Sequence, residues 1–204
     1  VSLVSGSLLS VPRRVTVGGS RAFNGIASLV VVGLAGVGAV SQLSVLDTQY
    51  LMVTRPDVVA AAWIRENVDE DALFLVEGFT IYDGRSVVGS DAGWWLPVLA
   101  HRRTTMPPQY ALLNDDPIDP DYPDRMVELV SGLTSVSASS SEGTRLMCIA
   151  GVTHVYIGQR QGTVGSGVSQ LYSMADLTSN PALRLVYQRD RAAVFELDRA
   201  LCED

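Results

Sequence analysis

The stretch "GSDAGWWLPVLAHRRTT", residues 89–105, concentrates the side chains best suited to recognition in this chain. Two readings follow from the residue types. In the first, Asp91, Trp94, Trp95 and Arg102 line a substrate-binding groove facing a membrane surface. Indole rings offer flat apolar area with a polar N–H, suited to sugars, peptides or lipid headgroups. A guanidinium grips phosphate or carboxylate bidentately. In the second, Asp91 caps a helix starting near Gly93 and the indoles pack against a sheet.

Other groups carry weaker chemistry. The acidic segment "NDDPIDPDYPD" holds Asp115, Asp116, Asp119, Asp121 and Asp124. Asp119-Pro120-Asp121 has the spacing of a metal-binding acid pair. It lacks the glycine and terminal glutamate of a calcium loop, so a solvated acidic loop is expected. "YIGQRQGTVGSGVSQL" reads as strand, glycine-rich turn and helix. Backbone N–H groups at such a helix start can cradle phosphate. No Lys-Ser or Lys-Thr pair closes the turn, which excludes a nucleotide P-loop, and Gly162, Gly165 and Gly167 fit a plain loop equally well. His101 and His154, the two histidines, have no Glu or Cys at ligand spacing, so no metal site is expected. No Ser-centred elbow is present. No catalytic residue is assigned.

The elements that position these groups follow from periodicity and turn chemistry. Residues 56–67, "PDVVAAAWIREN", read as a helix opened by proline. "ALFLVE" at 72–77 reads as a buried strand. "FTIYDGRSVVG" reads as a hairpin closed by a two-residue Asp83-Gly84 turn. "DRMVELVSGL" is a helix with Met126, Leu129, Val130 and Leu133 on one face. The serine-rich "TSVSASSSEG" reads as a flexible connection, followed by the helix "TRLMCIAG" ended by Gly151. "THVYIG" is a strand and "VSQLYSMADL" a helix. "LRLVYQ" and "AAVFEL" are two closing strands around Arg189-Asp190. Alternating helices and short strands predict an α/β layer fold, and the closing antiparallel pair makes the sheet mixed.

Composition sets the wider frame. Charged residues are 18% and hydrophobic residues 47% of 204. Residues 23–46, "FNGIASLVVVGLAGVGAVSQLSVL", contain no charge and exceed the about 20 residues a helix needs to cross a bilayer. Glycines within the run are tolerated in membrane helices. Arg13, Arg14 and Arg21 precede the run and Asp47 lies just after it. Positive flanks stay cytoplasmic, which predicts an extracytoplasmic location for the residues beyond the run. The rival reading is a secretory signal, with Arg13-Arg14 as a twin-arginine pair and Ala39-Val40-Ser41 as a cleavage site. "VSLVSGSLLSVP" reads as the tail of an earlier membrane helix. The predicted organisation is therefore 1–22, the end of a preceding membrane segment and a cytoplasmic loop; 23–46, a transmembrane helix; 47–57, a linker; and 58–200, the extracytoplasmic α/β domain. A net charge of −7 argues against a nucleic-acid partner. All 15 basic residues are arginine. Of the two cysteines, Cys148 lies in an apolar helical pattern and reads as a buried free thiol, although an oxidising exterior would permit a bridge to Cys202.

The order "AAAWIRENVDEDALFLVE", "VVGSDAGWWLPVLAHRRTTMPP", "GVTHVYIG" and "LRLVYQRDRAAVFEL" resembles the C-terminal extramembrane domain of multi-pass membrane glycosyltransferases, of the protein mannosyltransferase-like and oligosaccharyltransferase-like kind. The resemblance covers roughly residues 20–200 and is sharpest over 57–110. In the oligosaccharyltransferase catalytic subunit a similar helix and strand lead to Trp-Trp-Asp-Tyr-Gly, which helps hold the acceptor peptide. Here Asp91-Ala92-Gly93-Trp94-Trp95 shares residue types in another order, and a hairpin intervenes. The resemblance implies a lipid-linked sugar donor and a catalytic carboxylate in an earlier external loop of the parent. This segment would then shape the acceptor side, be inactive alone and hold no cofactor, with a divalent metal possible in the parent. Implied partners are the lipid bilayer, the parent's preceding membrane helices and the lipid-linked sugar or acceptor. The alternative is a single-pass anchored extracytoplasmic binding or scaffold domain without enzymatic activity; a third option is a periplasmic ligand-binding domain freed by cleavage.

Overall fold

A computed structural model describes residues 21–43, 51–106, 120–162 and 170–202. The chain divides into two units, at residues 47 and 48.

The first unit contains helix α1, Arg21–Leu43. Within it residues 25–42 have a mean hydropathy of 1.8 and are exposed throughout. Length and composition suit a membrane span, and no buried helical face accounts for its apolar side chains.

The second unit is a mixed α/β layer fold. Helix α2, Arg55–Asn67, begins at Thr54, whose N–H and hydroxyl donate to Asp57 Oδ2 at 2.8 and 2.6 Å. Pro56 suits this first turn, because its missing N–H would have had no partner there. Strand β1, Leu73–Val76, is buried along its whole length, as a central strand flanked on both sides must be. The hairpin β2, Gly78–Ile81, and β3, Ser86–Gly89, forms a separate two-stranded sheet. Asp83 and Gly84 sit at its tip with φ of 56° and 80°, and Arg85 N–H donates to Tyr82 O. The expected two-residue turn is nevertheless corrected. Tyr82 also takes a left-handed φ of 52°, so the ladder ends one pair earlier, at Ile81–Ser86.

A 3-10 turn over Ala92–Trp95 leads into the short helix α3, Leu96–Leu99, and then β4, Arg103–Thr104. Helix α4, Tyr122–Ser135, buries Met126, Leu129, Val130 and Leu133, the predicted face. Helix α5 spans Ser141–Ile149. It starts earlier than the sequence suggested, because Ser140 Oγ accepts the Gly143 N–H and caps it. The serine cluster is thus partly helical, and hydroxyl groups close the turn between α4 and α5. Strand β5 is His154–Ile157. Helix α6, Met174–Ser179, is shorter than expected: Ser173 and Asp176 form a capping box that places the helix start at Met174. Strands β6, Leu183–Arg189, and β7, Ala192–Leu197, close the sheet, followed by a 3-10 turn over Arg199–Cys202.

The main sheet runs β4-β1-β5-β7-β6. Strands β4, β1 and β5 are parallel, while β7 is antiparallel to both β5 and β6. Helix α2 packs on β6 and β7, where Trp63 stacks on Tyr187 at 4.8 Å between ring centroids. Phe74, Leu75, Val155, Val194 and Phe195 fill the core between the layers. Helix α4 packs on the hairpin and on α5. Cys148 on α5 is bonded to Cys202, with Cα atoms 5.4 Å apart. This corrects the reading of Cys148 as a free thiol: its position on the helix, half-buried, brings it to the terminal 3-10 turn.

Candidate functional site

Three parallel strands end on one edge of the main sheet, and the three buried acids among the described residues gather there. In open α/β sheets the carboxyl edge is where ligands are usually held. Glu77 follows β1 directly, Gly158 follows β5, and Thr105 follows β4. Asp57 arrives from the first turn of α2 and Asp91 from the start of the 3-10 turn. Asp57, Glu77 and Asp91 are all buried.

Each carboxylate is occupied by protein donors. Asp57 Oδ1 accepts the Tyr156 hydroxyl and the Gln159 N–H, both at 2.8 Å. Asp91 Oδ1 accepts the Gly93 N–H at 2.7 Å, and Oδ2 accepts the Gly158 N–H at 2.8 Å. Glu77 accepts the N–H groups of Leu171 and Tyr172 at 3.0 and 3.2 Å. Tyr172 donates its hydroxyl to Tyr156 O at 2.8 Å, fastening the same layer from below. The acids therefore clamp both described ends of the glycine-rich segment, residues 158–162 and 170–172. Glycine is required at the contact: a Cβ on Gly158 would lie 2.8 Å from Asp91 Oδ2, and one on Gly162 would lie 2.8 Å from the Glu77 carboxyl carbon.

Burial governs the titration of this cluster. It pushes Glu77 up to about 8, against the opposing N–H bonds from Leu171 and Tyr172 and with the nearby Asp91 charge adding to the rise. Burial likewise pushes Asp91 up to about 7, although Gly93 and Gly158 stabilise its charged form. Such groups could pass protons near neutrality. Their oxygens face backbone donors, however, and the arrangement spends them on holding a loop.

The residues singled out at 89–105 separate into distinct roles. Asp91 caps the turn and anchors Gly158. Trp94 is half-buried against the core and crosses Gly89, where a Cβ would lie 2.6 Å from its own Cβ. Trp95, the next residue, is exposed. Arg102 is buried and directs its guanidinium to carbonyls: Val68 O and Arg65 O at the end of α2, and Ala100 O and His101 O after α3. Its donors close two helix ends and are not aimed at a groove. The sequence thus brings Asp91 to the carboxyl edge, leaves Trp95 on the surface, and turns Trp94 and Arg102 inward.

Asp57, Glu77, Tyr156 and Tyr172 were missed as a cluster. Signals existed: Thr54-Arg55-Pro56-Asp57 is a capping-box spacing, and Glu77 terminates a fully apolar run. Neither signal says that the two acids meet. His154 stacks on Phe74 at 5.1 Å and its Nδ1 lies 2.9 Å from Thr153 Oγ1; burial lowers its pKa. Among the described residues no group of His, Cys, Asp and Glu is arranged to hold a metal. Asp115, Asp116, Asp119, Gly165 and Gly167 lie outside the described residues, so Asp119 of the acid pair and the second half of the glycine-rich turn fall outside them, while Asp121 stands at the start of α4.

A concave feature lies beside the disulfide. This groove, of about 700 Å³, is lined by Thr144, Cys148, Ile149, Asn180, Arg199 and Leu201 among others. Asn180 is spoken for: its amide donates to Ala138 O and Thr144 Oγ1, and its oxygen accepts from Ala182 N–H. No protein-family model matches this chain, and no curated protein matches it.

Proposed function

We propose that this chain is the C-terminal portion of a membrane glycosyltransferase-like protein that uses a lipid-linked sugar donor. In this reading α1 crosses the bilayer and the α/β unit lies outside the cytoplasm, shaping the acceptor side. The observation that carries the membrane part is α1, whose apolar window from Gly25 to Gln42 is entirely unburied. The Cys148–Cys202 bridge supports an oxidising side for the α/β unit. The order of helix, strand, Trp-Trp turn and closing strand pair supports the family reading. Asp57, Glu77 and Asp91 are committed to backbone donors, so the reading gives chemistry to a carboxylate of the parent outside this segment.

The test is an assay of the full-length parent in membrane vesicles with a radiolabelled lipid-linked sugar. Transfer to an acceptor is expected with the intact parent. With residues 58–200 deleted, donor binding should persist and transfer should be lost. A parent that consumes no lipid-linked sugar overturns the enzymatic reading and leaves an anchored binding or scaffold domain.

A further inference from the structure

The α/β unit carries an exposed apolar surface on α2, the 3-10 turn and α3. Val58 is 49% exposed, Trp95 44% and Val98 67%. Single exposed apolar residues are ordinary on a protein surface. These belong to neighbouring elements. Asp57 takes the Gln159 N–H and Asp91 takes the adjoining Gly158 N–H, so the first turn of α2 and the 3-10 turn meet at the same two residues. Helix α2 also contacts α3. Trp95 and Val98 are three residues apart across the helical turn, a spacing that places side chains side by side.

Charge distinguishes this surface further. Residues 55–58 and 92–98, which carry this surface, contain one carboxylate, Asp57, and it is buried. Arg55 in the same segments is exposed. In a chain of net charge −7 this is an apolar surface carrying an indole and one arginine, with no exposed acid in its segments. Indoles, aliphatic side chains and arginines without acids are the composition that settles at the boundary between headgroups and acyl chains.

We propose that the face formed by Arg55, Val58, Trp95 and Val98 rests on the headgroup–acyl boundary of the bilayer. The occupant is lipid, with phosphate oxygens meeting Arg55 and acyl carbons meeting Trp95 and Val98. This inference rests on the reading of α1 as a membrane anchor. Its consequence is that the carboxyl edge of the sheet, with the clamped glycine-rich segment, is turned toward the membrane surface.

The experiment uses the full chain reconstituted in phosphatidylcholine vesicles carrying a shallow spin-labelled lipid, with flotation and tryptophan emission as readouts. The chain is expected to float with the lipid, and the label to quench part of its emission. Trp95→Phe, a conservative change at an exposed site, should remove most of that quenchable part, since Trp63 is stacked on Tyr187 and Trp94 is packed on the core. Val98→Asp should reduce quenching in the wild-type tryptophan background. A floated chain quenched equally in wild type and Trp95→Phe overturns the docking and leaves the anchor reading intact. So does a floated chain in which Trp95 is protected by a second copy, seen as quenching that appears only on dilution in lipid. A chain that remains in the aqueous fraction overturns both.

Discussion

Glu77 and Asp91 are held in a setting that favours their neutral forms, and this fixes the sign of the resulting pH dependence. Their folded values, about 8 and about 7, lie above the ordinary values of 4.5 and 3.8. Between those limits the folded chain keeps protons that the unfolded chain has lost. The stabilisation is full below the ordinary carboxylate range and disappears as pH rises through the folded values. The denaturation midpoint of the α/β unit should therefore fall between pH 5 and pH 8.5, with a slope of up to about 1.4 kcal/mol per pH unit for each group. Glu77→Gln should flatten that slope. A midpoint that rises across the same range would refute the assignment. At Arg102 the expected effect is independent of this window. Arg102→Ala leaves buried carbonyls of Val68 and Ala100 without their donors and should cost about 2–3 kcal/mol in denaturant unfolding. Arg102→Lys should not restore it, because an ammonium cannot reproduce the planar fork.

At the scale of elements, the Cys148–Cys202 bridge ties α5 to the terminal 3-10 turn across a separation of 54 residues. Reduction, or Cys148→Ser with Cys202→Ser, should lower stability by about 2–4 kcal/mol. Unfolding with and without reductant measures it directly, and an unchanged midpoint would show that the terminal turn detaches without loss to the rest. Helix α1 has its own test. Leu34→Arg near the middle of its apolar window should disfavour insertion by about 2.5–3.5 kcal/mol, read as the fraction of chain resisting carbonate extraction. An unaffected fraction would mean that α1 is held by something other than lipid.

For the whole molecule, the proposed topology makes a sidedness statement. In sealed right-side-out vesicles, added protease should digest residues beyond the apolar helix and leave the Arg21 flank protected; inverted vesicles should reverse the pattern. Protection of the α/β unit in right-side-out vesicles would place it in the cytoplasm, and the bridge would then need a different explanation. The same preparation reports the disulfide, since Cys148 and Cys202 should accept alkylating reagent only after reduction.

The long-period patterns were legible in the chain itself. The uncharged run at 23–46, the amphipathic face of α4 and the alternation of short strands with helices are written in side-chain hydrophobicity, which acts locally and repeats. Asp91 as a cap was legible for the same reason, since its partner, Gly93, is two residues away. The meeting of Asp57, Glu77 and Asp91, the burial of Arg102 and the pairing of Cys148 with Cys202 were not. Gln159 and Gly158 reach their carboxylates across 102 and 67 residues, and Arg102 reaches Val68 across 34. Local patterns carry no record of those distances. Only the parallel pairing of β4, β1 and β5 decided which side chains share an edge, and burial there changed what acids and arginines can do.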